Sequence, residues 1–388
     1  MYCFDEVIER KGTNCSKWDR YPNNDVIPLW IADMDFSCLS EVQQAILKRG
    51  EHPIYGYTNI DDKVYQDIID WQKRHHNVDV TKNEIVMTTG VVYALYLAIN
   101  LFVGKDEKVI IQPPVYPPFS GVPATLEREV VYNNLKRVGN DWQMDLVDFE
   151  EKLKNDPKIK LFILCNPHNP TGKCYSKEDI RKVSDICHKY GVILVSDEIH
   201  NDIIMPNCKH NSIFTCVEDT SNILMFTSPT KTFNLAGLKV SYAIIKDEKL
   251  RETYVKQASS SGLSSVNLFG LEALKAVYEN GDEWSKECNQ YIYDNFLFMK
   301  DYLEKYIPQI GFEVPQATYL GWLDFSKLNI EGNINERIKN EAKVELNNGS
   351  GFSKACDQFQ RINVACPRVT LQAGLDRIRD WLKENKYI

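Results

Sequence analysis

The stretch Asn222-Ile223-Leu224-Met225-Phe226-Thr227-Ser228-Pro229-Thr230-Lys231-Thr232-Phe233-Asn234-Leu235-Ala236-Gly237-Leu238-Lys239 decides how the rest of the chain is read. Residues 222–226 open on an apolar run, the pattern of a short buried strand. The run ends on hydroxyls, a proline and a lysine, then passes into small and glycine residues. A lone lysine is ordinarily a surface residue. At the end of a buried strand, apolar surroundings disfavour the ammonium. They lower its pKa and leave a neutral amine suited to Schiff-base chemistry.

Upstream, the same texture repeats. Apolar runs at 85–87, 108–112, 129–131, 161–165, 192–195 and 240–245 read as strands. Between them, 91–102, 146–154 and 177–190 have helical spacing. Buried strands separated by helices predict an α/β fold, a mostly parallel sheet covered by helices on both faces. Helices are expected at 61–75, 250–257, 266–278, 283–306 and 371–383, with another after Ser40. The last 80 or so residues mix helices with short strands at 312–314 and 320–323. This predicts an N-terminal arm (1–45), a large domain (46–282) and a smaller α+β domain (283–388) that the arm completes.

Composition narrows the function. The chain has 388 residues and a net charge of −8, which disfavours a dedicated nucleic-acid binder. No apolar run reaches the ~20 residues of a membrane span. The start, Met1-Tyr2-Cys3-Phe4-Asp5-Glu6, lacks the basic-then-apolar order of a signal peptide. Eleven cysteines, an odd number without CxxC pairs, predict reduced thiols in a cytoplasmic protein, and no metal site.

In such a sheet, ligands sit beyond the carboxyl ends of the strands. There the sequence delivers Thr88-Thr89-Gly90 ahead of a helix, Tyr116 among prolines, Asn166-Pro167-His168-Asn169-Pro170-Thr171-Gly172, Ser196-Asp197-Glu198-Ile199-His200, and Lys231. Singly, each has a plain structural explanation, such as a rigid turn, a helix cap or loop packing. Their joint placement at one rim does not.

These residues resemble the fold-type-I pyridoxal-phosphate enzymes of the aminotransferase superfamily: Asn169 in NPxNPTG, Asp197 in SDE and Lys231 in SPTKTFNLAG. Trp30-Ile31-Ala32-Asp33-Met34-Asp35-Phe36, Tyr55-Gly56-Tyr57, Asp197-Glu198-Ile199-His200, Arg361-Ile362-Asn363 and Cys366-Pro367-Arg368 are similar to the MalY/PatB branch of C–S β-lyases. The resemblance spans nearly the whole chain and makes the large domain the pyridoxal 5'-phosphate-binding one.

The resemblance implies that Lys231 bonds the cofactor and then serves as base at the substrate Cα. Asp197 would face the pyridine nitrogen, Asn169 the ring 3-oxygen, and Tyr116 the ring face. Gly90, Val91 and Val92 would cradle the phosphate at a helix N-terminus, with the hydroxyls of Ser228 and Thr230. Tyr57 would reach the phosphate of a neighbouring subunit, implying a homodimer with shared sites. Arg361 would clamp the carboxylate of a small amino-acid substrate. Trp30, Ile31 and Phe36 could line the pocket around its sulfur substituent.

Two departures from the aminotransferase pattern matter. Lys239 stands where many aminotransferases have a phosphate-binding arginine, and supplies charge without the fork geometry. His200 stands where they tend to have tyrosine, which favours α,β-elimination from cystathionine or another cysteine S-conjugate over transamination. An aminotransferase, or a cofactor-bound regulatory protein without catalysis, are the alternatives.

Overall fold

The computed structural model describes residues 2–21, 25–261 and 266–388; Pro22, at the end of the arm's Trp18-Asp19-Arg20-Tyr21-Pro22 motif, lies outside them. In the arm, β1 is Ile27–Pro28, followed by α1 (Ser40–Gly50) and α2 (Asp62–His76). Then come β2 (Ile85–Thr88), α3 (Val91–Phe102), β3 (Lys108–Ile111), α4 (Pro118–Thr125) and β4 (Glu129–Tyr132). A small hairpin, β5 (Lys136–Val138) and β6 (Asp141–Gln143), precedes α5 (Leu146–Asn155). The central elements are β7 (Ile159–Cys165), α6 (Lys177–Lys189), β8 (Ile193–Asp197), β9 (Ile223–Thr227), the single turn α7 (Pro229–Thr232) and β10 (Ser241–Ile244).

Helices α8 (Glu248–Ser260), α9 (Leu268–Asn280) and α10 (Asp282–Tyr306) follow. The chain ends on β11 (Leu320–Asp324), α11 (Ile334–Arg337), β12 (Val344–Glu345), β13 (Asn347–Asn348), β14 (Phe359–Asn363) and α12 (Arg368–Glu384).

Seven strands form one sheet in the order β2-β10-β9-β8-β7-β3-β4. Only β10 runs against the others. Side chains alternate between faces along a strand, and β7 shows it directly. Leu161, Ile163 and Cys165 join a core with α3, α4 and α8, while Phe162 and Leu164 join the larger core on the other face. The α/β expectation holds, as a mixed sheet.

The C-terminal strands form a three-stranded sheet, β11-β14-β13, and the arm joins this part of the chain because β1 pairs in parallel with β12. The expected strand at 312–314 does not form. Gly311 makes an isolated bridge to Asp324, and Phe312 turns to stack on Phe296 of α10 at 6.0 Å. Packing on the helix takes the aromatic side chain that the pattern assigned to a sheet. Among the described residues, no helix is long and apolar enough to cross a membrane. All eleven cysteines are unpaired.

Candidate active site

The carboxyl ends of β2, β7, β8 and β9 open onto one cavity of about 1120 Å³. Lys231, Asp197, His200, Asn169, Tyr116, Thr230, Arg361, Lys239, Gly90, Val91 and Val92 all line it, as do Trp30 and Ile31. Three expected residues do not. Tyr57 is fully exposed on its own chain. Phe36 is buried instead in an aromatic cluster with Phe4 and Tyr291. The Ser228 hydroxyl caps α7 by accepting from the Thr230 amide at 3.1 Å and gives its proton to the Val240 carbonyl at 2.6 Å. It therefore has no donor left for a phosphate.

Lys231 lies one turn into α7, where β9 hands the chain to a helix capped by Ser228. Burial pushes its ammonium down to about 8, with Asp33 opposing, and Nζ donates to the Ala32 carbonyl at 2.7 Å. Asp197 is the last residue of β8, which runs two residues further than its apolar run suggests because Ser196 and Asp197 pair with β7 and β9. Burial pushes its carboxyl up to about 7, and its one hydrogen bond is from the Ile199 amide at 3.1 Å. Among the described residues, no cation forms a close ion pair with it.

Arg361 comes from the middle of β14, a strand that its polar alternation concealed. Its Nη1 donates to Asn169 Oδ1 at 2.9 Å and its Nη2 to the Trp30 carbonyl at 3.0 Å, while Nε is buried with no partner. With its Oδ1 accepting from Arg361, Asn169 has its amide NH2 free to donate to a ligand oxygen. Burial holds the guanidinium down to about 10, so it stays cationic at neutral pH. His200 packs edge-on against Tyr319, with Nδ1 buried and unpartnered. Burial first, then Lys231 and Arg361, push it down to about 3, so it acts as a neutral imidazole.

The N-terminus of α3 completes the ring of groups. Its cap, Gly90, offers no side chain to the first-turn amides, and a Cβ there would meet only open space. Free amides and the helix dipole favour an anion at this point. A carboxylate lacking a cation, a lysine held near neutrality and an uncapped helix terminus fit pyridoxal phosphate, which carries a ring nitrogen, an aldehyde and a phosphate.

The sequence model of the family "Aminotransferase class I and II" matches residues 24–378. The chain belongs to this family. It is 36% identical to cystathionine beta-lyase PatB of Bacillus subtilis, across 97% of this chain and 98% of that protein. Cystalysin of Treponema denticola, whose crystal structure contains pyridoxal 5'-phosphate, superposes with a TM-score of 0.96 at 32% identity, covering 99% of this chain and 100% of that one. A pyridoxal-phosphate-bound C–S lyase of Staphylococcus hominis gives 0.94 at 32% identity, covering 98% of each chain. These likenesses put the chain on the MalY/PatB-like C–S lyase branch, with pyridoxal 5'-phosphate as its cofactor.

The sequence reading missed the residues that hold the arm in the site. Asn363 Nδ2 donates to the carbonyls of Ile31 and Asp33, and Asn234 brackets Met34 and Phe36. Each asparagine sits two or three residues after a named site residue, Arg361 or Lys231. That spacing was the available signal.

Proposed function

We propose that the protein is a pyridoxal-phosphate-dependent C–S β-lyase acting on cysteine S-conjugates, with cystathionine as the type substrate. The observation that carries this reading is the convergence of Lys231, Asp197 and Arg361 on one cavity, each buried and without a close ion pair among the described residues. The cofactor, when bound, supplies an electron sink for charge developing at Cα.

The chain's own groups do the rest. Asp197 would face the ring nitrogen of the bound cofactor and favour its protonated form. Arg361 binds the substrate carboxylate through the donors it does not already share with Asn169 and Trp30, and so fixes Cα. Lys231, held down to about 8 by burial and so about half in its amine form at pH 8, removes the Cα proton. The β-thiolate then leaves, because a thiolate needs little help to depart. Water completes the reaction to pyruvate and ammonia. His200 keeps a neutral ring on the wall of the cavity, where a tyrosine would bring a phenol.

We further infer a cytoplasmic homodimer. Ile54, Tyr55 and Tyr57 are exposed together on the loop before α2, an apolar cluster suited to a second copy. Tyr57 of one subunit would reach the cofactor phosphate of the other. The lyase reading is tested by incubating purified holoenzyme with L-cystathionine. Pyruvate and homocysteine should appear with no 2-oxo acid present, whereas turnover only after adding one would favour transamination.

A further inference from the structure

Residues 30–33 line the cavity, the Trp30 carbonyl accepting from Arg361 and the Ala32 carbonyl from Lys231, and two carboxylates on the strap 30–36 differ sharply. Asp35 is buried and closed off: Lys17 Nζ donates to it at 2.7 Å, Trp18 Nε1 at 2.9 Å and Arg10 Nη1 at 2.7 Å. Lys17 itself is fully buried. Asp33 lines the cavity, and Arg10 Nη2 holds one of its oxygens at 2.9 Å. No protein hydrogen bond to its other oxygen is present among the described residues. The peptide just before it carries the Ala32 carbonyl that accepts from Lys231 Nζ at 2.7 Å.

We propose that Asp33, aimed by Arg10 and set beside the Ala32 carbonyl, is a positioning residue for Lys231 that balances its ammonium during proton transfer. The proposal rests on the lyase reading for its reaction. In that step the Cα–H bond breaks and an N–H bond forms on Lys231. The electron pair left at Cα becomes the Cα=Cβ bond as the C–S bond breaks, and the C–S bonding pair departs with the β-thiolate; the cofactor, when bound, would supply the electron sink for the charge at Cα. The cation created on Nζ then sits on the Ala32 carbonyl with a carboxylate close by.

The surrounding charges support this assignment. The charged groups that act on Lys231 are Asp33 and Asp197, which favour its ammonium, and Arg361 and Lys239, which oppose it; Asp33 is the stronger of the two carboxylates. Asp197 is assigned to the ring nitrogen, and Asp35 is held by three donors. His200 and Tyr116 line the same cavity and Tyr319 packs against His200; all three are uncharged, His200 with its basicity suppressed by burial and both phenols pushed up by burial. Asp33 is the carboxylate left to serve the lysine.

The test labels Lys231 in the full-length, cofactor-free chain with acetic anhydride across pH 6–10, read by peptide mass spectrometry. Wild type should show a half-point near pH 8. Asp33→Asn should move it down by about one unit, so that labelling at pH 7 becomes several-fold faster. Arg10→Gln removes a cation from Asp33 and should move it up. Opposite shifts are not expected if the strap only holds the fold. In the holoenzyme, Asp33→Asn should lower kcat about tenfold with KM nearly unchanged.

An unmoved half-point in both variants overturns the proposal. So does a rise in KM confined to substrates with a second ammonium, which would make Asp33 a substrate contact. If Asp33→Asn does not fold, the upward shift in Arg10→Gln decides alone. The labelling uses no substrate, so its outcome stands even if the lyase assay fails.

Discussion

Asp197 and Asp202 lie five residues apart, both buried beyond the same strand, and they are treated in opposite ways. Asp197 faces the cavity with one backbone hydrogen bond, and burial drives its carboxyl up to about 7. Asp202 lies behind the site and is saturated. Its Oδ1 meets His76 Nε2 at 2.7 Å and Trp71 Nε1 at 3.1 Å, and its Oδ2 takes the Thr232 hydroxyl at 3.1 Å. Burial pushes Asp202 up as well, but His76, His75 and Trp71 together outweigh it and the carboxyl ends below its ordinary value. Glu198, beside Asp197, is likewise filled by Ser196, His210 and the Ile213 amide.

The difference separates function from support. Buried polar groups are normally satisfied, and the carboxylates of Asp202 and Glu198 behind the site are. Thr232 connects that satisfied layer to α7 and so to Lys231. In front, the open groups are those a cofactor and substrate would complete.

Substitutions in front should therefore cost chemistry, and those behind should cost stability. Lys231→Ala should lower turnover at least about 10⁴-fold and abolish covalent retention of the cofactor, read by pyruvate release and mass spectrometry. Wild-type turnover in that variant would break the distinction. Asp202→Asn should destabilise the fold by about 3 kcal/mol in denaturant unfolding, because it disrupts a buried pair with His76. Its turnover at low temperature should stay within about tenfold of wild type.

Asp197→Asn should reduce kcat about a hundredfold yet stabilise the cofactor-free chain at pH 8. The sign follows from the direction of its shift. A carboxyl raised in the folded state contributes stability that is fully present below its unfolded pKa and is lost as pH rises through about 7. The asparagine variant lacks that loss, so its Tm advantage should grow from pH 5 to pH 8. Smallest of the four, Tyr57→Phe should weaken cofactor retention about tenfold in dialysis while leaving the mass of the proposed homodimer unchanged.

The seven-stranded sheet was legible because its central strands are apolar runs, and Lys231, Asp197 and Asn169 stand at or just beyond their ends. Less legible was whatever depended on pairing between distant segments. Strand β14 reads Phe359-Gln360-Arg361-Ile362-Asn363, too polar to signal a buried strand, yet all five residues are buried between β11 and β13. The arm could be read as packing on something, but not as a strap pinned by Asn234 and Asn363. Ser228 and Thr230 look equivalent in sequence. Only the Val240 carbonyl, reached across α7, separates a cap from a cavity residue.

The most direct measurement is the stoichiometry of products from L-cystathionine with purified holoenzyme and no added 2-oxo acid. The account predicts pyruvate, ammonia and homocysteine in a one-to-one-to-one ratio over many turnovers. A single turnover that stops until a 2-oxo acid is added, with the amino group retained on the enzyme and no thiol released, would contradict it.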